Sequence, residues 1–468
     1  MQANEINISN IIEKHRMDAS FFMTESSYKG YVSLSKYVSV KGGKRIPKGE
    51  SFTSQKTDYL YLRLSDIDNF EVLNFKKLKS ISKDLFIKLR KYQIKENEVI
   101  ISIAGTIGKT FIMKNIPIGK KVILTENCAK LIIKDNDVLP EYLRIILESE
   151  IIQKQISANR IKTTIPKIGL DRIGKLKIPP IPPIDIQRQI VEQYNQAQEA
   201  KQAKDREAKS LLDSIDSFVL KNMGVTLPSK DTHKKENIVA LSQLIGNRYD
   251  PYYHNEYFED AFKHLKETSN YKLRRLSDIT ELITSGITPK SGGDDYTDSE
   301  HGVAFIRSGN IDIMGEVDFD NLLYIKREVH NTRMKSSKVQ NGDIMIAIVG
   351  ATIGQVGIYH SSREANINQA IALVRLKDGY NPEYIKEVIK SSIGQLNLDR
   401  LKRPVARANI NLEEISSMLI PVPEFDIQNE IVKNVVSIRK QAKRLQKEGV
   451  ELLERTKQEI KKIILGNP

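Results

Sequence analysis

Apolar and polar positions follow two different periods along this chain. Short apolar runs at 99–104, 122–124, 131–133, 344–349 and 371–376, bounded by Gly or Asn, predict buried β-strands. Two later stretches follow a helical seam instead. Ile190, Tyr194, Ala197, Lys201, Lys204, Ala208, Leu211, Ile215 and Phe218 recur at alternating spacings of four and three, as do Ile431, Val435, Ile438, Ala442, Leu445, Gly449 and Leu452, with Ile463 further on. That spacing predicts two long helices over 186–224 and 427–468 with coiled-coil seams. Lys201 and Lys204 interrupt one seam, and Gly449 interrupts the other at a cost of ~1 kcal/mol. Helices of this length span on the order of 50 Å. Their apolar stripes are too narrow to stand alone, so the two are expected to pack on each other. Gly224 and Gly466 fit C-terminal caps, and Leu227-Pro228-Ser229-Lys230-Asp231 reads as a linker within 225–237. Short helices are expected after Pro140 and Pro382, since proline suits a first helical turn.

The same plan occurs twice. Pro180-Ile181-Pro182-Pro183-Ile184-Asp185-Ile186-Gln187 matches Pro421-Val422-Pro423-Glu424-Phe425-Asp426-Ile427-Gln428, and both run on into Ile-Val, all at an offset of 241. Val99-Ile100-Ile101 through Gly105-Thr106-Ile107-Gly108 matches Ile344-Met345-Ile346 through Gly350-Ala351-Thr352-Ile353-Gly354. Pro140-Glu141-Tyr142 matches Pro382-Glu383-Tyr384, and Arg16-Met17-Asp18 matches Arg248-Tyr249-Asp250. A period of about 242 residues, with the blocks in the same order, means duplicated domains and not a solenoid. The domains are expected at 1–185 and 238–426.

Composition narrows the function classes. The 468 residues are enough for two to four domains, and 40% hydrophobic with 28% charged residues is ordinary globular material. No apolar stretch approaches the ~18–20 residues needed to span a bilayer, and the first residues lack a signal-peptide profile. A lone Cys128 precludes an intramolecular disulfide and fits a cytoplasmic location. The net charge of +14 points to a polyanionic partner, and it is unevenly spread: residues 1–185 carry 32 basic and 20 acidic side chains, whereas 225–426 carry 25 and 28.

Most motifs that resemble chemistry dissolve on inspection. Ile103-Ala104-Gly105-Thr106-Ile107-Gly108-Lys109-Thr110 looks like a phosphate-binding loop, but Ile103 stands where the first Gly is needed and the repeat has Gln355 in place of the Lys. A structural turn is expected there. Asp250-Pro251-Tyr252-Tyr253 resembles the loop with which amino-methyltransferases hold a flipped base, yet its second Pro is missing and no Gly-x-Gly cofactor loop accompanies it. Packing is the expected role of those aromatics. The seven His lack zinc-site spacing. Cys128 is expected to be a small buried residue. No catalytic constellation emerges.

Basic and polar residues do cluster inside the β-rich regions. In the first half these are Lys41, Lys44, Arg45 and Lys48; Lys76, Lys77 and Lys79; and Arg160, Lys162, Thr163 and Thr164. In the second half they are Arg333, Lys335, Ser336, Ser337 and Lys338, then Arg400, Lys402, Arg403, Arg407 and Asn409. Arg can bond guanine edges and Asn adenine edges, while Lys, Ser and Thr mostly hold phosphates. A solvated charged face is the competing explanation for each cluster. Arg63 and Arg307 correspond between the halves, as either a structural ion pair or a phosphate contact.

With its two Pro-x-Pro–Asp-Ile-Gln elements, its paired Gly-(x)-Thr-Ile-Gly segments and Asn366-Ile367-Asn368-Gln369-Ala370, the whole chain resembles the specificity subunit of a Type I restriction–modification system. Ile186 and Ile427 stand where that family commonly has Glu. The resemblance implies an α+β chain: two related target-recognition domains with β-rich cores, joined by two long antiparallel coiled-coil helices with pseudo-twofold symmetry. It further implies a non-catalytic subunit. Each domain would read one half of a bipartite site on double-stranded DNA, and the helices would set the spacing. Two modification (methyltransferase) subunits would dock on the helices and, through them, restriction subunits. S-adenosylmethionine, ATP and Mg would belong to those partners, with no cofactor or metal in this chain. The rival classes are a stand-alone DNA methyltransferase or nuclease, which needs a cofactor or metal site, and a scaffold that binds DNA without sequence preference.

Overall fold

The computed structural model of the chain describes residues 28, 30–68, 71–72, 74–159, 166–229, 240–241, 248–403 and 408–465. It divides into two compact units, Met1–Lys204 with Lys447–Pro468, and Asp205–Gln446. The division falls inside the two long helices and not at their ends, so each helix begins in one unit and finishes in the other.

In the first unit, β1 (Val38–Gly42), β5 (Val99–Ser102), β6 (Thr110–Ile112) and β8 (Cys128–Ile133) form an antiparallel sheet of order β1-β8-β5-β6. A second sheet, of order β3-β2-β7-β4, is built from β2 (Tyr59–Leu62), β3 (Lys79–Ser80), β4 (Gln93–Ile94) and β7 (Lys121–Leu124). Within it β2 and β7 run parallel. The continuous apolar run of β5 follows from cover on both faces. Val99 and Ile101 pack with the helices α1 (Pro140–Glu148) and α2 (Glu150–Ala158), while Ile100 packs with Leu60 and Val122 of the second sheet. Successive strand residues point to opposite faces, so a strand buried on both sides is apolar throughout.

The second unit repeats this arrangement. Strands β9 (Thr280–Ser285), β14 (Ile344–Ala347), β15 (Val356–Ile358) and β17 (Ile371–Leu376) pair in the order β9-β17-β14-β15. The registers coincide: Ile101 sits opposite Ala129 and Ile346 opposite Ala372. The other sheet has five strands, β10 (Tyr296–Thr297), β11 (Gly302–Ile306), β12 (Leu323–Lys326), β13 (Lys338–Val339) and β16 (Ala365–Ile367), in the order β10-β12-β11-β16-β13. Its β11 and β16 are the parallel pair that matches β2 and β7. Helices α4 (Pro382–Lys390) and α5 (Ser392–Leu401) take the places of α1 and α2.

The long helices are α3 (Ile184–Met223) and α6 (Phe425–Ile464), each of 40 residues. Gly224 ends α3 in the left-handed conformation (φ 70°). In the first unit the two helix segments are antiparallel. Lys204 pairs with Glu448 at 2.7 Å, and Ile190, Tyr194 and Ala197 share a core with Leu453 and Ile460. The seam interruptions answer one another, because a Cβ at Gly449 would lie 3.2 Å from Cγ of Lys201. Past Gly449 the seam departs from the expected positions: Leu453 and Ile460 are buried, whereas Ile463 is 41% exposed. A helix near 3.6 residues per turn drifts off a strict 3.5 repeat, which moves the buried stripe by one position. In the second unit Val219 and Met223 of α3 share the core with Ile431 and Val435 of α6. Val225 and Leu227, expected in a linker, join that core too, and 230–237 lies outside the described residues.

Two glutamines hold the helices to their domains. Gln187 is fully buried; its Oε1 accepts from Leu139 N (2.9 Å), and its Nε2 donates to Asp137 O (2.7 Å) and Pro182 O (2.8 Å). Gln428 repeats the pattern, accepting from Asn381 N and donating to Pro423 O, both at 2.9 Å. The Asp-Ile-Gln element is thus a clamp between the start of each long helix and the segment that leads into α1 or α4.

Candidate nucleic-acid interface

The C-terminal ends of the parallel strands gather several of the predicted cations in the first domain, and Arg307 and Lys335 in the second. In the first domain Gly43 makes this possible, because a Cβ there would lie 2.0 Å from Thr125 O. The close approach lets Lys44 N donate to Leu124 O (2.9 Å), which carries Arg45 alongside β7. Arg45 Nε then donates to Glu126 Oε1 at 2.6 Å, and the Tyr61 hydroxyl donates to Lys44 O at 2.9 Å. Partial burial alone would raise the Glu126 carboxyl, but hydrogen bonds from Arg45, from its own backbone and from Thr125 outweigh it and hold the group below the usual range. Arg63 follows β2 directly. Its Nη2 and Nε grip Asp66 Oδ1 and Oδ2 at 2.6 and 3.1 Å, and the same carboxylate accepts from Arg63 N at 2.9 Å. Arg63 thus forms an ion pair, one of the two roles the sequence leaves open to it. Lys76 and Lys77 are exposed on a one-turn helix capped by Asn74, and the register that sets Lys79 opposite Tyr61 brings Lys77 toward this same end. Lys41, Lys44 and Lys48 are exposed on β1 and the loop after it.

In the second domain Arg307 follows β11 as Arg63 follows β2. Its backbone N donates to Asn310 Oδ1 (3.0 Å), but Asn310 offers no charge and turns its Nδ2 to Asn321 O (3.1 Å). The Nε of Arg307 is buried and has no hydrogen-bond partner among the described residues. Arg333 is paired with Asp295, and Lys338 Nζ donates to Asn331 Oδ1 at 2.7 Å. Lys335 is exposed, and the register that sets Lys338 opposite Asn366 points its segment toward the end of β16.

The remaining candidates lie elsewhere. Arg400 is committed to packing: it pairs with Glu259, donates Nε to Tyr253 O (3.2 Å) and covers the rings of Tyr253 and Phe262 at 4.4 and 5.0 Å. Arg403 grips Glu414 with both terminal nitrogens (2.9 and 3.1 Å) and donates to Asn409 O at 3.1 Å, while Asn409 itself is exposed. These arginines and Arg248, 3.3 Å from Glu414, line an open cavity of about 740 Å³ together with Lys263, Lys266, Arg275 and the acids Glu259, Glu267, Glu413 and Glu414. Arg160, Lys162, Thr163 and Arg407 fall outside the described residues, as do Arg16-Met17-Asp18 and Gly466.

The motifs that mimic chemistry are structural. Gly105 and Gly108 form the turn between the antiparallel strands β5 and β6, and no helix opens there as a phosphate loop requires. Gln153 Nε2 of α2 locks that turn by donating to Gly108 O at 3.0 Å, as Gln395 of α5 does to Gly354 O at 3.1 Å. Gly108 and Gly354 both have positive φ (89° and 95°), and a Cβ on either would lie within 2.7 Å of the glutamine oxygen. Asp250 pairs with Arg248 at 2.6 Å and accepts from Tyr253 N, which makes its loop a packing element. Cys128 is buried in β8, and burial pushes its thiol up to about 12. Among the described residues no cluster of His, Cys, Asp and Glu could hold a metal ion, and no helix is long and apolar enough to cross a membrane.

Against known proteins, the family described as Type I restriction modification DNA specificity domain matches residues 31–204 and 268–461, one match for each copy of the repeat. The chain is 31% identical over 194 residues to the Type I restriction enzyme EcoBI specificity subunit of Escherichia coli, and 25% identical over 170 residues to a protein of Methanocaldococcus jannaschii described as a proposed type I restriction enzyme MjaX specificity subunit. These matches take in 39% and 35% of this chain, and it spans 39% and 38% of the length of those relatives. Among solved structures, a chain from a type I R-M system studied for its complex assembly and conformational transition superposes over 94% of this chain and 98% of its own. The TM-score is 0.52 at 14% identity, a likeness of fold.

Proposed function

Since the chain belongs to the family of Type I restriction modification DNA specificity domains, we propose that it is the non-catalytic subunit that reads a bipartite DNA site, one domain to each half-site. The observation that carries this reading is the duplication itself. Two domains of the same strand order and register each end a parallel strand on an arginine, at Arg63 and Arg307, and each is fastened to a long helix by a buried glutamine. Base contacts from the strand ends and neighbouring loops would set the sequence, and the exposed lysines would hold phosphates and register. The helices would fix the separation of the half-sites at roughly one turn of duplex, as two-fold related readers generally do.

The outer faces of α3 and α6 are the proposed docking surface for two modification subunits, which would bring S-adenosylmethionine and the adenine methylation chemistry. Restriction subunits with ATP and Mg would join through them. The test is selection of bound duplexes from a random DNA pool, with and without the modification subunit. Two short half-sites at one fixed spacing are expected. Salt-dependent binding blind to sequence, even with the partner present, would overturn the reading in favour of a scaffold.

A further inference from the structure

The two strand-end rims differ in one chemical respect. Register identifies the equivalent positions: Ala129 opposite Gly42 and Ile101 matches Ala372 opposite Ser285 and Ile346. Counting from these pairs, Glu126 corresponds to Gln369, Arg45 to Thr288 and Gly43 to Gly286, while Asp66 corresponds to Asn310. The close approach at the glycine is retained, since a Cβ at Gly286 would lie 1.6 Å from Ile367 O. Both carboxylates of the first rim are therefore amides in the second, and one of its two arginines is a threonine. Arg307 alone keeps its place, without either counter-ion.

The guanidinium of Arg307 has no ion pair or hydrogen bond among the described residues; its Nε is turned inward, and its terminal nitrogens are left to meet a group from outside the domain. Its neighbours suit one kind of completion. Asn368 N donates to Ile306 O at 3.0 Å, which sets Gln369 beside Arg307, and the Gln369 amide is exposed. On the adjoining turn Ile287 is 52% exposed and Thr288 is exposed with it. A planar guanidinium, a free amide and an apolar side chain on one rim are the groups that bond guanine, bond adenine and touch a thymine methyl in the major groove. Lys335, on the segment leading to β13, adds a flexible charge of the kind that holds a phosphate.

We propose that this rim of the second domain is its base-reading surface, with Arg307 and Gln369 contacting base edges and Lys335 a backbone phosphate. The inference rests on the recognition reading above and deepens it. In the first domain both arginines carry a counter-ion, Arg45 through Nε to Glu126 and Arg63 through Nε and Nη2 to Asp66, so the matching rim there differs in charge.

The experiment uses the full chain with its modification subunit and the selected duplex, with each base pair of each half-site changed in turn. Arg307→Gln and Asn310→Asp, the latter supplying the counter-ion found in the first domain, should weaken specific binding about 5- to 150-fold, the range of one bidentate base contact. Both should flatten the base preference at one half-site and leave the other half-site's preference intact. Gln369→Ala, at an exposed position that folding does not need, should relax the same half-site. Wild-type base preferences retained by both Arg307→Gln and Gln369→Ala would overturn the proposal alone. Equal losses on selected and random duplexes would also overturn the base-reading assignment, leaving phosphate contact. A wild-type chain without sequence preference would overturn the recognition reading and this proposal together.

Discussion

Replacing Gln187 by Ala tests whether the helix-to-domain clamp is real. The change strands Leu139 N and the carbonyls of Asp137 and Pro182, and it empties a site where the side chain is fully buried. At ~1 kcal/mol net per hydrogen bond, with a further term for the cavity, the expected loss is about 3–4 kcal/mol. Gln428→Ala breaks two such bonds and should cost about 2–3 kcal/mol. For units of this size each kcal/mol lowers the melting temperature by ~2–4 °C. Urea and thermal unfolding followed by far-ultraviolet circular dichroism measure both. Gln187→Glu separates hydrogen bonding from packing, because it keeps the volume and the acceptor but turns an oxygen toward two carbonyls. Burial against those dipoles raises the folded-state pKa of the new carboxyl above its unfolded value. Its relative stability is therefore fully present below ~4.3 and declines as pH rises through the folded pKa. Ala variants within about 0.5 kcal/mol of wild type, or a Glu variant with no such pH trend, would refute the clamp.

The other expectations are shorter. Replacing the exposed Lys41, Lys44 and Lys48 by Gln should lower the slope of log K against log salt by up to about 3, since each phosphate neutralised contributes ~0.9; an unchanged slope removes this face from the interface. Inserting seven residues into both α3 and α6 lengthens each by ~10 Å, so selection should return the same half-sites about three base pairs further apart. Altered half-site sequences would count against the helices as a ruler. Cys128 should resist alkylation at pH 8 in the native chain and react at the rate of unfolding, and rapid native labelling would contradict its burial in β8.

Local pattern made much of this fold legible. The apolar runs at 99–104 and 371–376 are strands, the seams from Ile190 and Ile431 are 40-residue helices, and the internal repeat anticipates the shared strand order. What stayed hidden depends on partners distant in sequence. Arg400 reads as a surface cation until Glu259, 141 residues away, is seen paired with it. Gln153 and Gln395 carry no signal in isolation, although a glutamine repeating behind each Gly-(x)-Thr-Ile-Gly turn could have drawn attention. The division of the units within the helices has no compositional mark, because the same residues continue the helix on both sides. Nor could spacing decide between the two roles of Arg63 and Arg307. The same repeat position holds an ion pair in one domain and an unmatched guanidinium in the other.

That divergence is informative because of where it stops. Positions that fix the backbone are the same residue in both copies: Gln187 and Gln428 at the helix starts, Gln153 and Gln395 behind the hairpins, Gly43 and Gly286 at the strand crossing. Replacing any of these leaves buried polar groups unmatched or forces atoms into contact, so they tolerate little change whatever the domain binds. Beside them the rim differs: Glu126 and Arg45, a pair open to solvent, give way to Gln369 and Thr288 at small cost to folding, while Asp66 gives way to the buried Asn310, which keeps the bond to the backbone N of the arginine. A framework fastened by these glutamines can therefore exchange exposed rim residues without refolding. Under the proposed function, that would let the two copies read different bases on the same framework.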